Sequence, residues 1–259
     1  MPRCFPCDDV DPTVQKERLS MAAKLGYDCI ALNHVMQGKV KESDGCAIKL
    51  TEADKATVGI PEAKSCQQSL LRDAKPGIQQ CTRVTVVLRD VAHALELNSS
   101  KAVLSTYDIV AVQPSCDRTF EKACATLDTD IISMDLTRRL PFRLRTKDIQ
   151  LALSRGVLFE ICYSGAIQGS GGGRRQLFGQ AAALIQAAGR NAVCVSSGAV
   201  RAMDLRGPYD VANLCTCFSL DPGSAKAAIS EQCRKVLAHG AARKTYRGVI
   251  KVEMELGSS

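Results

Sequence analysis

Six short apolar runs rich in β-branched residues recur along this chain, separated by stretches whose apolar spacing is helical, and that alternation limits what it can become. The runs are Asp28–Leu32, Arg83–Leu88, Asp108–Val112, Asp130–Met134, Val157–Cys162 and Ala192–Ser196, with a shorter candidate before Asp8. Between them Phe120, Ala123, Cys124 and Leu127 share one helical face, as do Leu177, Ala181, Leu184, Ile185 and Ala188. Ala225, Ala228, Ile229, Cys233 and Val236 repeat the pattern late in the chain. Near-continuous apolar strands need both faces covered, so the alternation predicts a parallel sheet clothed in helices. A barrel and an open doubly wound sheet both satisfy it. About seven repeats without a clear break favour the barrel.

The length of 259 residues suits one such barrel, a unit that commonly runs to about 250. We read residues 1–251 as a single domain and 252–259 as a short tail. Residues 37–80 interrupt the domain as a polar, variable loop. No apolar run approaches the roughly 18 residues of a membrane span, and the N-terminus lacks the apolar core of a signal peptide. The 13 cysteines are odd in number, and Cys29, Cys162 and Cys194 lie inside apolar strands. Buried thiols in a reducing, intracellular compartment are the expectation. Cys4 and Cys7 have half of a zinc-site spacing, but no second pair completes it.

Charge is distributed unevenly. Residues 1–137 carry 16 basic and 19 acidic side chains, a balance of −3; residues 138–259 carry 18 and 8, a balance of +10. Such asymmetry predicts an anionic partner for the C-terminal half. Nucleic acid is the first candidate and an acidic protein surface the second.

Three chemistries compete for this sequence. A metal-dependent phosphoesterase needs clustered ligands. The histidines are His34, His93 and His239, and none forms a His-x-His pair. His34 is read as following a strand towards the barrel mouth, where Asp8, Asp108, Asp135 and Glu160 would have to converge. A nucleotide-binding loop is suggested by Gly169–Gly173 between a strand and a helix, but Arg174 stands where a dinucleotide fingerprint needs its third glycine. A flexible linker leading into a basic helix start is the expectation. Nucleic-acid binding gathers the most support. Arg138, Arg139, Arg143, Arg145 and Lys147 follow one strand, Arg174 and Arg175 the next, and Arg201 and Arg206 the one after. Arg243, Lys244 and Arg247 lie near the C-terminus. Loops after successive parallel strands gather on one face, so these twelve residues are the candidate RNA-binding patch. Aromatics make up 4% of residues and tryptophan is absent, which favours backbone and shape recognition over base stacking. Tyr209, Phe142 and Tyr246 are candidates for stacking, with core or packing roles the preferred reading.

Within the basic half, Arg206-Gly207-Pro208-Tyr209-Asp210-Val211-Ala212-Asn213-Leu214 predicts a turn and a helix with Pro208 at its first position. That string closely resembles the barrel-shaped protein subunit of nuclear ribonuclease P and ribonuclease MRP. The likeness continues through Leu25-Gly26-Tyr27, Ala31–His34, Tyr107–Val112, Leu140-Pro141-Phe142, Ser196-Ser197, His239-Gly240 and Arg243-Lys244-Thr245. It covers most of residues 20–36 and 82–251. It implies a TIM-barrel-like fold related to the polymerase and histidinol phosphatase barrels but metal-free, without catalytic residues or a cofactor of its own. The implied role is to brace a catalytic RNA that holds magnesium and removes the 5′ leader of precursor tRNA, with MRP acting on precursor rRNA. Implied partners are ribonuclease P RNA, MRP RNA, the small α/β-sandwich subunit and other particle proteins, in the nucleus and nucleolus. Pro6 and Cys7 depart from the family's usual first strand.

Overall fold

The computed structural model describes residues 4–6, 12–41, 44–46, 48, 78–168 and 171–245. The elements run β1 (Cys4–Pro6), α1 (Pro12–Lys24), β2 (Cys29–Gln37), β3 (Gln79–Leu88), α2 (Val91–Ser99), α3 (Lys101–Leu104), β4 (Ile109–Pro114), α4 (Asp117–Ala125) and β5 (Ile131–Ser133). They continue with α5 (Thr146–Ser154), β6 (Leu158–Cys162), α6 (Ser164–Gln168), α7 (Gly171–Ala188), β7 (Val193–Ser196), α8 (Pro208–Thr216), α9 (Pro222–Ile229) and α10 (Glu231–Lys244). Every strand pair is parallel and neighbours follow chain order. That order never reverses, which sets it apart from an open doubly wound sheet, where a reversal creates the ligand crevice. Strands β2–β7 make a curled, six-strand half-barrel of TIM-barrel type, and the three residues of β1 pair along its β2 edge. The expected count of about seven is therefore reached only by counting β1.

The two faces of the sheet have different tasks. On the convex side Val84, Val86, Val110, Val112, Ile132, Phe159 and Ile161 form one core with Phe120, Ile149, Ala181 and Leu184 of the helices. Phe142 joins it, buried and stacked on Phe120 at 4.7 Å between ring centres, as its reading as a packing residue required. On the concave side Ala31, Ile109, Ala111, Ile131, Leu158 and Cys194 pack against Cys233 and Val236 of α10. The late amphipathic pattern is thus two helices, broken at Ser230 (φ −127°, ψ −75°), and the second fills the half-barrel instead of covering its outside.

Helix α10 is held at the N-terminal ends of the strands. Asp130, fully buried before β5, accepts hydrogen bonds from the Val110 N–H (2.7 Å) and from Arg243 Nε (3.2 Å), and its other oxygen lies 2.7 Å from His239 Nδ1. Arg243 also donates to the carbonyls of Leu104, Tyr107 and Asp108, and Lys244 pairs with Asp108 at 2.6 Å. Gly240 is required by closeness: a Cβ there would lie 2.3 Å from the Asp108 carbonyl oxygen. The hydrogen bond to Asp130 holds the His239 pKa above its ordinary 6.5, against the opposing effect of burial. A raised histidine pKa contributes stability fully below about 6.5 that is lost as pH rises through the folded value. Urea titrations from pH 5.5 to 8.5 are therefore expected to show falling stability in the wild type and a flatter profile in His239→Gln.

Candidate nucleic-acid interface

The C-terminal ends of β4–β7 open onto a cleft of about 670 Å³, lined by Gln113, Ser133, Asp135, Arg138, Ser164 and Gln168 among others. Helix α7 begins at its rim. Gly171–Gly173 form that helix's first turn, so the glycine run expected to be a flexible linker is partly helical; residues 169 and 170 lie outside the described residues. Arg174 and Arg175 follow in the next turn, both exposed.

The remaining loops at this end carry the predicted arginines. Arg138, Arg139 and Arg143 are exposed between β5 and α5, and Arg145 and Lys147 stand at the start of α5. Arg145 pairs with Asp117 at 2.6 Å and Arg138 lies 3.7 Å from Asp135; both pairs are exposed, where such interactions contribute little. After β7, Arg201 pairs with Asp204 at 3.1 Å, and that hydrogen bond keeps the Asp204 carboxyl below its usual range. Gly207 caps α8 and Pro208 occupies its first turn, as the sequence predicts. The Arg206 guanidinium bonds the carbonyls of Met203 and Leu205. Nine of the twelve candidates thus lie on segments that follow the C-terminal ends of β5, β6 and β7. Arg243 and Lys244 do not; they hold α10 at the N-terminal ends of the strands, and the Arg243 side chain is 6% exposed. Arg247 lies outside the described residues.

The candidate metal ligands are not brought together. His34 lies within β2, on the convex face, with Nδ1 2.9 Å from the Tyr107 hydroxyl, and does not reach the mouth. Asp108 stands at the N-terminal end of β4, where it pairs with Lys244 and accepts hydrogen bonds from Thr82. Glu160 points inside the half-barrel, but Arg83 of β3 claims it at 2.5 and 2.7 Å. Burial pushes the Glu160 carboxyl up, yet the Arg83 charge and hydrogen bonds, with help from Ser133 and Ser196, bring it down to about 2. Asn33 and Thr85 extend this polar layer, with Thr85 accepting from Arg83 and donating to Asn33. Asp8 and the Cys4 and Cys7 side chains lie outside the described residues. Among the described residues, no group of three or more His, Cys, Asp and Glu side chains could hold a metal ion.

The pair Arg83–Glu160 was missed in the sequence, although a signal existed. Opposite charges sit singly in two strands that otherwise carry none, and a charge in such a place needs a partner.

Fold and site together define a TIM-barrel-like protein with a salt-bridged interior and a basic rim at its strand C-termini. The chain matches the family RNase P subunit p30 over residues 7–245. It is 36% identical over 229 residues to "Ribonuclease P protein subunit p30" of Mus musculus, covering 88% of this chain and 81% of that one. It is 31% identical over 228 residues to "Probable ribonuclease P protein subunit 3" of Schizosaccharomyces pombe, covering 88% and 87%. To "Ribonuclease P/MRP protein subunit RPP1" of Saccharomyces cerevisiae it is 25% identical over 177 residues, covering 68% and 59%. In fold it is similar, with a TM-score of 0.69 at 12% identity and full coverage of both chains, to a chain of the "cryo-EM structure of archaeal Ribonuclease P with mature tRNA". The chain belongs to the RNase P subunit p30 family.

Proposed function

We infer that this chain serves as a noncatalytic protein subunit of ribonuclease P, the particle that removes 5′ leaders from precursor tRNA. Family membership over residues 7–245 carries the reading, and the basic rim supplies its physical means. In this reading the nine basic residues at the strand C-termini brace the RNA by screening phosphate repulsion, while magnesium and the hydrolytic step belong to the RNA. A second role in ribonuclease MRP is favoured by the name of the S. cerevisiae relative. The same reading proposes an interface with the small α/β-sandwich subunit and residence in the nucleus and nucleolus.

The test is the salt dependence of binding to the particle's RNA transcript. Arg174→Ala/Arg175→Ala and Arg138→Ala/Arg139→Ala are each expected to lower the slope of log affinity against log salt by about one unit for every phosphate left without its arginine. Lys244→Ala is expected to leave the slope unchanged, since Lys244 lies at the other end of the strands. Unchanged slopes in all the rim variants would refute the patch.

A further inference from the structure

Five large apolar side chains are exposed among the described residues, and three of them, Val200, Met203 and Tyr209, fall between residues 200 and 209. Tyr209 is 76% exposed and Met203 73%, so Tyr209 is not the packing residue its sequence suggests. Poorly packed loops also expose apolar groups, but this segment is pinned from beneath. Ala199 and Leu205 are buried against Leu19 and Ala22 of α1. The Arg206 N–H donates to the Tyr163 hydroxyl at 3.2 Å, and the Arg206 carbonyl accepts from the Tyr27 hydroxyl at 2.7 Å. Asp204 is clamped by Arg201 and Gln168. The backbone is fixed while the apolar side chains remain in water, an arrangement that lowers the ordering cost of binding.

The chemistry around them selects the partner. Arg201, whose side chain is 69% exposed, and Arg206 alternate with the three apolar residues; of the nearby carboxylates, Asp204 is buried and the exposed Asp210 lies over Gly207 at the start of α8. An aromatic face beside guanidinium groups suits a base stacked on the ring with its phosphates on the arginines. We propose that Tyr209, supported by Met203 and Val200, stacks on an unpaired nucleobase of RNA while Arg201 and Arg206 hold the adjoining phosphates. This rests on the RNA-binding reading above and adds to it a stacking interaction.

Stacking and phosphate binding leave different signatures. Removing a stacked ring lowers affinity without changing the number of counterions released, whereas removing an arginine from a phosphate changes the slope. The chain holds no tryptophan, and Tyr27, Tyr107 and Tyr163 are buried, so with Tyr246→Phe as background the exposed emitter is Tyr209. The full chain in that background is titrated with an oligo(A) of about 12 nucleotides and with a paired RNA duplex of equal length. The expected result is quenching of tyrosine emission by oligo(A) but not by duplex. Tyr209→Ala should bind oligo(A) roughly tenfold more weakly at an unchanged salt slope, and Tyr209→Phe should retain affinity. Wild-type oligo(A) affinity in Tyr209→Ala, alongside lowered slopes in the rim arginine variants, would overturn the stacking and leave the RNA-binding reading standing. Loss of co-purifying particle proteins from Tyr209→Ala, with oligo(A) affinity intact, would also overturn it and make this a protein-docking face. Unchanged slopes in the Arg138/Arg139 and Arg174/Arg175 variants, with oligo(A) binding weakened in Tyr209→Ala, would support the stacking while defeating the rim reading.

Discussion

Glu160→Gln is expected to destabilise the fold by about 3–5 kcal/mol, because it keeps the side-chain shape and leaves the Arg83 guanidinium buried beside a neutral amide. Arg83 and Glu160 are 2% and 1% exposed, so water cannot make good the loss. The double variant Arg83→Met/Glu160→Leu is expected to recover most of it, since two apolar side chains of similar volume remove both charges together. Urea unfolding of the wild type, the single and the double variant measures the cycle. The depressed Glu160 pKa adds a pH signature. Its contribution is complete above the unfolded value of about 4.5 and is lost as pH falls towards about 2. The double variant should lack that acid-side decline.

Asp130→Ala is expected to lose about 3 kcal/mol and to release α10. The substitution strands the Val110 N–H and removes the carboxylate facing Arg243 and His239, although three carbonyls continue to hold the Arg243 guanidinium. Release uncovers the concave apolar layer, so Cys194 and Cys233, each only 4% exposed in the fold, should react with a thiol reagent under native conditions. The pH dependence assigned to His239 should weaken in the same variant, because its largest cause is gone. A loss below about 1 kcal/mol, with both thiols still protected, would show that α10 is held by packing alone.

These two sites mark where the sequence could and could not be read. Strands, covering helices and the helix start at Pro208 were legible because each is a local matter of apolar period or of a backbone N–H that is missing. The same locality hid the interior. Cys233 and Val236 share the period of an outer helix, and nothing in that period says which face of the sheet they meet. His239, Arg243 and Lys244 were visible as charged residues, but their partners Asp108 and Asp130 lie more than a hundred residues earlier. Long-range ion pairing and solvent exposure look alike in a sequence. Tyr209 failed in the opposite direction: an aromatic beside a helix start reads as packing, and only the buried Ala199 and Leu205 beneath show that the core is already supplied. The rim was legible wherever a basic residue directly followed a strand, since chain direction in a parallel sheet fixes which end it occupies.

We propose that this chain works as a noncatalytic, RNA-bracing part of ribonuclease P. The most direct test is to recover the tagged full chain from cell extract, sequence the bound RNA and assay precursor-tRNA cleavage before and after nuclease treatment. One abundant structured RNA and a leader-cleaving activity that nuclease abolishes are expected. Cleavage by the purified chain alone, insensitive to nuclease and abolished by a chelator, would contradict the proposal.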